Sequence, residues 1–162
     1  MTMAVLAWLV AIPLLGAVTG LRTMTPMMVL CWFAYRGHLP VDGTWAAWTG
    51  HLTTAIVFSV LAAMEYLGDK LPQMPNRTDK GPLMARVIFG GLVGAIVATS
   101  LDGSVFEGIF LGVGGALMGA FGGYLVRREL VQIFGCKDWH VAVAEDLLAV
   151  GCAILAMGVV TG

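Results

Sequence analysis

Long apolar runs separated by short polar segments constrain this chain more than any other feature. A transmembrane helix needs about 20 mostly apolar residues, within a range of about 17–25. Five windows meet this length, and they cover residues 3–20, 51–70, 83–101, 105–126 and 141–161. A sixth apolar segment, residues 24–35, reaches only about 18 Å as a helix. We therefore predict an all-α transmembrane helix bundle with five spans and a short or broken sixth segment.

The composition excludes most soluble classes of protein. Hydrophobic residues make up 59% of the 162 residues, charged residues 12%, and mean hydropathy is +0.88. A soluble domain is roughly half apolar and about a quarter charged, and a small one leaves much of its surface exposed. The formal net charge is −1 and no basic stripe is present, so a nucleic-acid partner is not expected. We expect a single integral membrane domain surrounded by membrane lipids.

The distribution of Lys and Arg predicts the orientation. Basic residues are concentrated in residues 70–86 and 127–140, whereas residues 101–107 contain only acidic charges. Because cytoplasmic loops carry an excess of Lys and Arg, we place the first two segments in the cytoplasm and residues 36–50 and 101–107 outside. If residues 24–35 also cross, the halves 3–70 and 83–161 hold three spans each in opposite directions, the plan of an inverted repeat.

Several short strings of residues occur in order along nearly the whole chain. They are Gly20–Pro26 (GLRTMTP), Glu65–Pro72 (EYLGDKLP), Pro75–Thr78 (PNRT), Gly122–Tyr124 followed by Arg127 and Arg128, and Glu145–Ala149 (EDLLA). In this order the chain resembles the domain-of-unknown-function 4126 family of small bacterial membrane proteins. The resemblance supports the fold class and a bacterial origin, and it brings no assigned activity and no catalytic residue. We accordingly expect a multi-pass protein of the bacterial inner (plasma) membrane.

Acidic residues inside the apolar runs are candidates for a binding site. Glu65 and Asp69 are four residues apart and so share a helix face, and Glu145 lies in the first turns of the last span. An ionisable residue within a span is costly and is by default a candidate for function. Asp69 and Asp146 are close enough to helix ends to reach water, and acids at Glu145 and Asp146 also suit a helix N-terminus. Glu65 lies about five residues inside its span and is the hardest to explain this way.

Arg22 lies in a segment that is typical of a broken helix. Gly20, the neighbouring threonines and Pro26 favour an unwound stretch, which membranes tolerate only where it is buried or lines a cavity. Discontinuous helices bind substrates and ions in transporters, whereas a simple inner turn with a topology-setting arginine is the alternative.

The leading functional hypothesis is accordingly a small transporter or permease. In it, Arg22, Glu65, Asp69 and Glu145 bind an ion or small solute, and Glu65 takes up a proton or cation or pairs with Arg22. All four approach the inner face in the predicted topology.

Arg77 and Arg86 are candidates for binding a lipid phosphate, although ordinary topology charges explain them equally well. The only metal candidates are Cys136 with His140 and the methionines around Met24, and we expect no metal and no cofactor. No nucleotide-binding, hydrolase or metalloprotease motif occurs, so an enzyme is not expected.

Glycines at intervals of three and four residues leave one helix face nearly bare, a pattern that lets helix backbones approach closely in lipid. The set is Gly90, Gly94, Gly108, Gly112, Gly115, Gly119 and Gly123. This face serves packing within the chain, a homodimer, or both. Docking of a partner's helix on it would make the protein a membrane scaffold, which is the second functional hypothesis.

Overall fold

All regular structure in the described part of the chain is helical. The computed structural model describes residues 7–68, 79–133, 135 and 138–162. A π-helical turn, Ala7–Ala11, leads into the first helix. The α-helices are α1 (Ile12–Leu21), α2 (Thr25–Tyr35), α3 (Leu52–Gly68), α4 (Lys80–Ser100), α5 (Val105–Gln132) and α6 (Asp138–Thr161), and a 3₁₀ turn, Ala47–Gly50, precedes α3. The predicted all-α class is confirmed.

Three of the helices are long and apolar enough to cross a membrane. They are α4, α5 and residues Trp139–Thr161 of α6. Three apolar helical segments are shorter, at 10–17 residues: Trp8–Leu21, Thr25–Tyr35 and Leu52–Gly68. The length and composition of these helices are those of a membrane protein.

Helices α1 and α2 both have one end near the turn between α4 and α5. The indole ring of Trp8, just before α1, packs against Gly103. Trp45, which follows α2, donates a hydrogen bond from Nε1 to Thr99 Oγ1 at 3.0 Å. We call this side of the bundle the Gly103 end, defined by residues 99–104, and the side that carries Arg127 the Arg127 end.

The chain reverses direction between α1 and α2. Trp32 Nε1 donates to Ser59 Oγ at 2.9 Å, and Thr25 Oγ1 lies 2.6 Å from the hydroxyl of Tyr66, so α2 runs antiparallel to α3. Residues 7–35 therefore form a helical hairpin that enters and leaves at the Gly103 end. Helix α2 has 11 residues, or about 16 Å, which is roughly half the thickness of a bilayer's hydrocarbon core.

The break between α1 and α2 at the hairpin tip, Arg22–Met24, has a clear local cause. Arg22 has extended backbone angles, φ −139° and ψ 108°, which end α1 at Leu21. Pro26 lies in the first turn of α2, where the missing proline N–H costs nothing. Three alternatives were open for residues 24–35: a tilted span, a re-entrant segment or a broken continuation of the first helix. In the described structure the chain turns back at the tip, which argues against the continuation.

Glycine and alanine bring α1, α4 and α5 into backbone contact. A methyl group at Gly94 would overlap the backbone of Gly108, one at Gly16 would overlap Gly112, and one at Gly119 would overlap Ala17. Contacts of this kind between α5 and either α1 or α4 involve six of the seven predicted glycines: Gly90, Gly94, Gly108, Gly112, Gly115 and Gly119. Gly123, the seventh, is buried.

Successive helices alternate in direction, as an inverted repeat requires. The packing of the two halves is unequal, however. Helix α1 lies along α5, whereas α2 and α4, which a repeat would relate to this pair, touch only slightly.

Candidate functional site: a buried polar cluster at the hairpin tip

The hairpin tip lies opposite the middle of α5. Gly20 packs against Ala116 and Gly119, and Gly119 is 14 residues after Val105 and 13 before Gln132. Gly20, just before the tip, is therefore about 20 Å along α5 from either end of that helix.

Arg86 of α4 caps the end of α1. Its side chain is buried, and Nη1 donates to the carbonyl oxygens of Gly20 and Leu21, the second at 3.2 Å. The last carbonyl groups of a helix have no partner within the helix, and this end carries partial negative charge. A guanidinium at this position therefore satisfies the carbonyls and complements the helix dipole.

Glu65 of α3 caps the start of α2 by accepting hydrogen bonds from backbone amides. Its Oε1 accepts a hydrogen bond from the amide of Thr23 at 2.7 Å, and its Oε2 accepts one from the amide of Met24 at 2.9 Å. Amides at a helix start are unsatisfied donors, and negative charge is favourable there. Glu65 and Arg86 together hold the two helix ends that meet at the tip.

Arg22 lies between these two caps and is the largest of the fully buried side chains in the described residues. Its Nε is 2.7 Å from Oδ1 of Asp146 on α6, and the exposed fractions of the two side chains are 0% and 15%. Its Cζ lies 5.8 Å from the centre of the Tyr66 ring, a distance suited to a cation–π contact. The hydroxyl of Tyr66 in turn contacts Thr25, so one network joins α2, α3 and α6 to the tip.

The structure brings together three of the residues that the sequence singled out, Arg22, Glu65 and Arg86, but with other partners than expected. Glu65 is held by backbone amides, and the ion pair described for Arg22 goes to Asp146. Among the described contacts, Arg86 binds backbone carbonyls.

Glu145 belongs to a neighbouring place in the fold. Its Oε2 is 3.4 Å from Nη1 of Arg127 on α5, and both side chains are mostly buried. The other predicted residues of the site, Asp69 and Arg77, and the metal candidate Cys136 lie outside the described residues.

The sequence predicted Asp146 only as an acid near a helix end, and the structure places it in an ion pair with Arg22. Asp146 lies midway along a seven-residue interval on the buried face of α6, and with it the small residues of that face are spaced three or four apart. These are Ala142, Ala149, Ala153 and Ala156. Glu145 precedes this register by one position, so the spacing of the alanines could have distinguished the two acids. No comparable signal identified Tyr66 or Thr25, because their contact joins segments 41 residues apart.

The cluster offers opposite charges and hydroxyl groups in a setting from which water is largely excluded. Among residues 7–68, 79–133, 135 and 138–162, no group of three or more His, Cys, Asp or Glu is placed to hold a metal ion. Such a cluster suits exchange of an ion or a small polar solute with one member of the Arg22–Asp146 pair.

Comparison with known proteins agrees with the resemblance noted from the sequence. Residues 9–159 match the family model described as a domain of unknown function, DUF4126. No curated protein and no solved structure matches the chain. A match over this share of the sequence shows that the chain belongs to the DUF4126 family.

Proposed function

We propose that the protein is a small transporter or permease of the bacterial inner membrane, with its binding centre at the hairpin tip. The observation that carries this proposal is the fully buried Arg22, paired with Asp146 where two helix ends meet. Irregular backbone at membrane depth occurs where it is buried in protein or lines a cavity, and broken helices form the binding sites of many transporters.

The free-energy cost of burying the Arg22–Asp146 ion pair favours a functional role for it. Desolvating two charges is expensive, and replacing a buried ion pair by apolar residues is often neutral or stabilising. A chain with only 12% charged residues nevertheless keeps Arg22 and Asp146 in its interior. Intramembrane charges of this kind mark ion and substrate pathways.

Each residue of the cluster has a distinct role in this proposal. Asp146 takes a proton or cation, or Arg22 takes an anion, when the pair separates. Glu65 and Arg86 are positioning residues, because their hydrogen bonds fix the helix ends on either side of Arg22. Asp69 remains a proposed member of the site from the sequence alone.

The topology that we propose has four crossings and a re-entrant hairpin. Helices α3, α4, α5 and α6 cross fully, and α1 and α2 dip in from the Gly103 end and return to it. The Arg127 end is cytoplasmic in this topology, because it carries three of the described basic residues, Lys80, Arg127 and Arg128. The opposite end carries Arg36.

The scaffold hypothesis loses much of its support. Its motive was a glycine face free to dock a partner, and six of those glycines contact helices of the same chain. A lipid-phosphate site at Arg22 and Arg86 is likewise disfavoured, since both guanidinium groups make contacts inside the bundle. Homodimer formation stays a prediction.

Ion flux into proteoliposomes tests the proposal. The probes are H⁺, measured with an internal pH dye, and K⁺, Na⁺, chloride and phosphate, each under an imposed gradient. We compare the wild type with Arg22→Met, Asp146→Leu and the double variant. Breaking one side of a buried pair costs about 3–5 kcal/mol, whereas removing both sides costs little.

The double variant is thus expected to fold better than either single variant and to lose flux of the transported ion at least tenfold. Arg128→Gln/Glu129→Gln removes an exposed pair 3.9 Å apart and serves as the matched control with unchanged flux. A folded double variant with wild-type flux of every probe ion that the wild type moves would contradict the proposed site. A wild type that moves none of the probes would remove the proposal for ions.

A further inference from the structure

A groove of about 590 Å³ separates helices α5 and α6 at the Arg127 end. Its walls are almost wholly apolar or glycine, including Met118, Gly122 and Val126 on α5 and Ala144 and Leu148 on α6, and Leu21 lies at its floor. The groove is open on one side. Both walls are helices long and apolar enough to cross a membrane, so the groove opens toward the bilayer.

We propose that this groove binds one acyl chain of a membrane phospholipid. The dimensions select a chain in preference to a helix. The lining extends from Met118 to Leu130 on α5 and from His140 to Leu148 on α6, or about 15 Å on average. The volume then gives a mean cross-section of about 40 Å², roughly half that of a helix 10 Å in diameter.

Polar groups are placed where the head of such a lipid would lie. His140 lines the groove near the start of α6, and the neighbouring Trp139 is exposed. Tryptophan is enriched at the level of lipid headgroups. Exposed Arg128 is at the same end of α5 and offers a donor to a phosphate.

The acidic residue inside the groove does not oppose an apolar occupant. Glu145 lines the wall, but its carboxylate is 3.4 Å from the guanidinium of Arg127, whose positive charge compensates it. Inside a bilayer an apolar groove of this size is filled by an apolar molecule, because water there lacks hydrogen-bond partners.

Two glycines of α5 provide a matched pair of variants. A side chain at Gly122, which lines the groove, and one at Gly114, which does not, would each begin in open space among the described residues. Gly122→Leu therefore fills the groove without a backbone clash, and Gly114→Leu adds the same group elsewhere on the same helix. Circular dichroism and gel filtration check that both fold.

The experiment uses photo-crosslinking in nanodiscs. The probe is phosphatidylcholine with a diazirine on one acyl chain, and adducts are located by mass spectrometry. We expect adducts at Met118, Val126 and Leu148 to exceed those at Phe110, an exposed residue of α5 outside the groove, by at least fivefold. Gly122→Leu should lower the groove adducts at least fivefold, and Gly114→Leu should not.

Equal labelling at Phe110 and in the groove would show surrounding bilayer lipid only and overturn the proposal. Groove adducts that survive Gly122→Leu would do the same, and protein–protein crosslinks across the groove would identify a second copy as its occupant instead. The assay measures lipid binding and requires no flux, so its outcome is independent of the transport experiment.

Discussion

Arg22 and Arg86 are both buried arginines, yet the bonds they make separate their roles. Arg86 donates to two carbonyl groups at the end of a helix, where its charge complements the helix dipole. Arg22 forms an ion pair with a carboxylate on another helix. The first contact holds a helix end, whereas the second can be broken by an ion that competes for either partner.

Glu65→Gln is expected to destabilise the protein although the two side chains have nearly the same shape. The amide keeps one acceptor for Thr23 or Met24 and turns an NH₂ group toward the other backbone N–H. A buried donor without its acceptor costs about 1–3 kcal/mol. Thermal unfolding in detergent measures the effect as a lower Tm.

Glu129→Gln is the control for this substitution. Glu129 is exposed and lies 3.9 Å from the equally exposed Arg128, a pair that contributes little. If both variants had the Tm of the wild type, the Glu65 cap would contribute nothing to the stability of the tip.

Part of the site could be predicted from the sequence. Hydropathy alone identified Arg22 and Glu65 as charges inside apolar runs, because a charged residue in such a run is evident from the sequence whatever its partner. The partners themselves depend on packing between distant segments: Glu65 bonds to amides 41 and 42 residues away. Glu145 and Asp146 are adjacent in the sequence but lie on different faces of α6. The spacing of the alanines in α6 indicates which of the two is on the buried face.

At the scale of helices, the sequence predicts position well and direction poorly. The apolar window 83–101 corresponds to α4 at Lys80–Ser100, and the window 105–126 lies within α5. Length and hydropathy are properties of one segment and can be read along the chain. Whether residues 24–35 continue the first helix or turn back depends on contacts with α3, which no local pattern contains.

The contact between α4 and α5 predicts a sharp difference between two glycines of the same helix. A methyl group at Gly108 would lie 2.5 Å from the carbonyl oxygen of Gly94 and 2.6 Å from Cβ of Ala98, while one at Gly114 meets open space. Gly108→Ala must push the helices apart. Gly114→Ala should be neutral or stabilising by up to about 1 kcal/mol, because alanine favours a helix.

Denaturant or thermal unfolding in the same detergent gives both values. We expect a clear fall in stability for Gly108→Ala alone. Equal stability of the two variants would mean that α4 and α5 do not approach each other at backbone distance.

At the scale of the whole molecule, the described contacts divide the chain into two ends. Residues 36–50, the turn at residues 101–104 and the end of α6 share the Gly103 end. The positive-inside rule predicts that this end is the outer face, and a chemical probe tests which face of the membrane each end occupies.

Single cysteines test both which segments share an end and which face of the membrane that end occupies. In a protein with its three native cysteines replaced, Asp42→Cys, Glu107→Cys and Glu129→Cys each place a thiol at an exposed position. An impermeant maleimide added to spheroplasts should label positions 42 and 107, and should label position 129 only after the membrane is opened. Labelling of 42 and 107 from opposite faces would contradict the shared Gly103 end, because α3 and α4 lie between the two positions and their two crossings return the chain to the same face. Labelling of both only from the cytoplasmic face, with 129 outside, would keep the shared end and reverse the orientation, which would place the Arg127 end against the positive-inside rule.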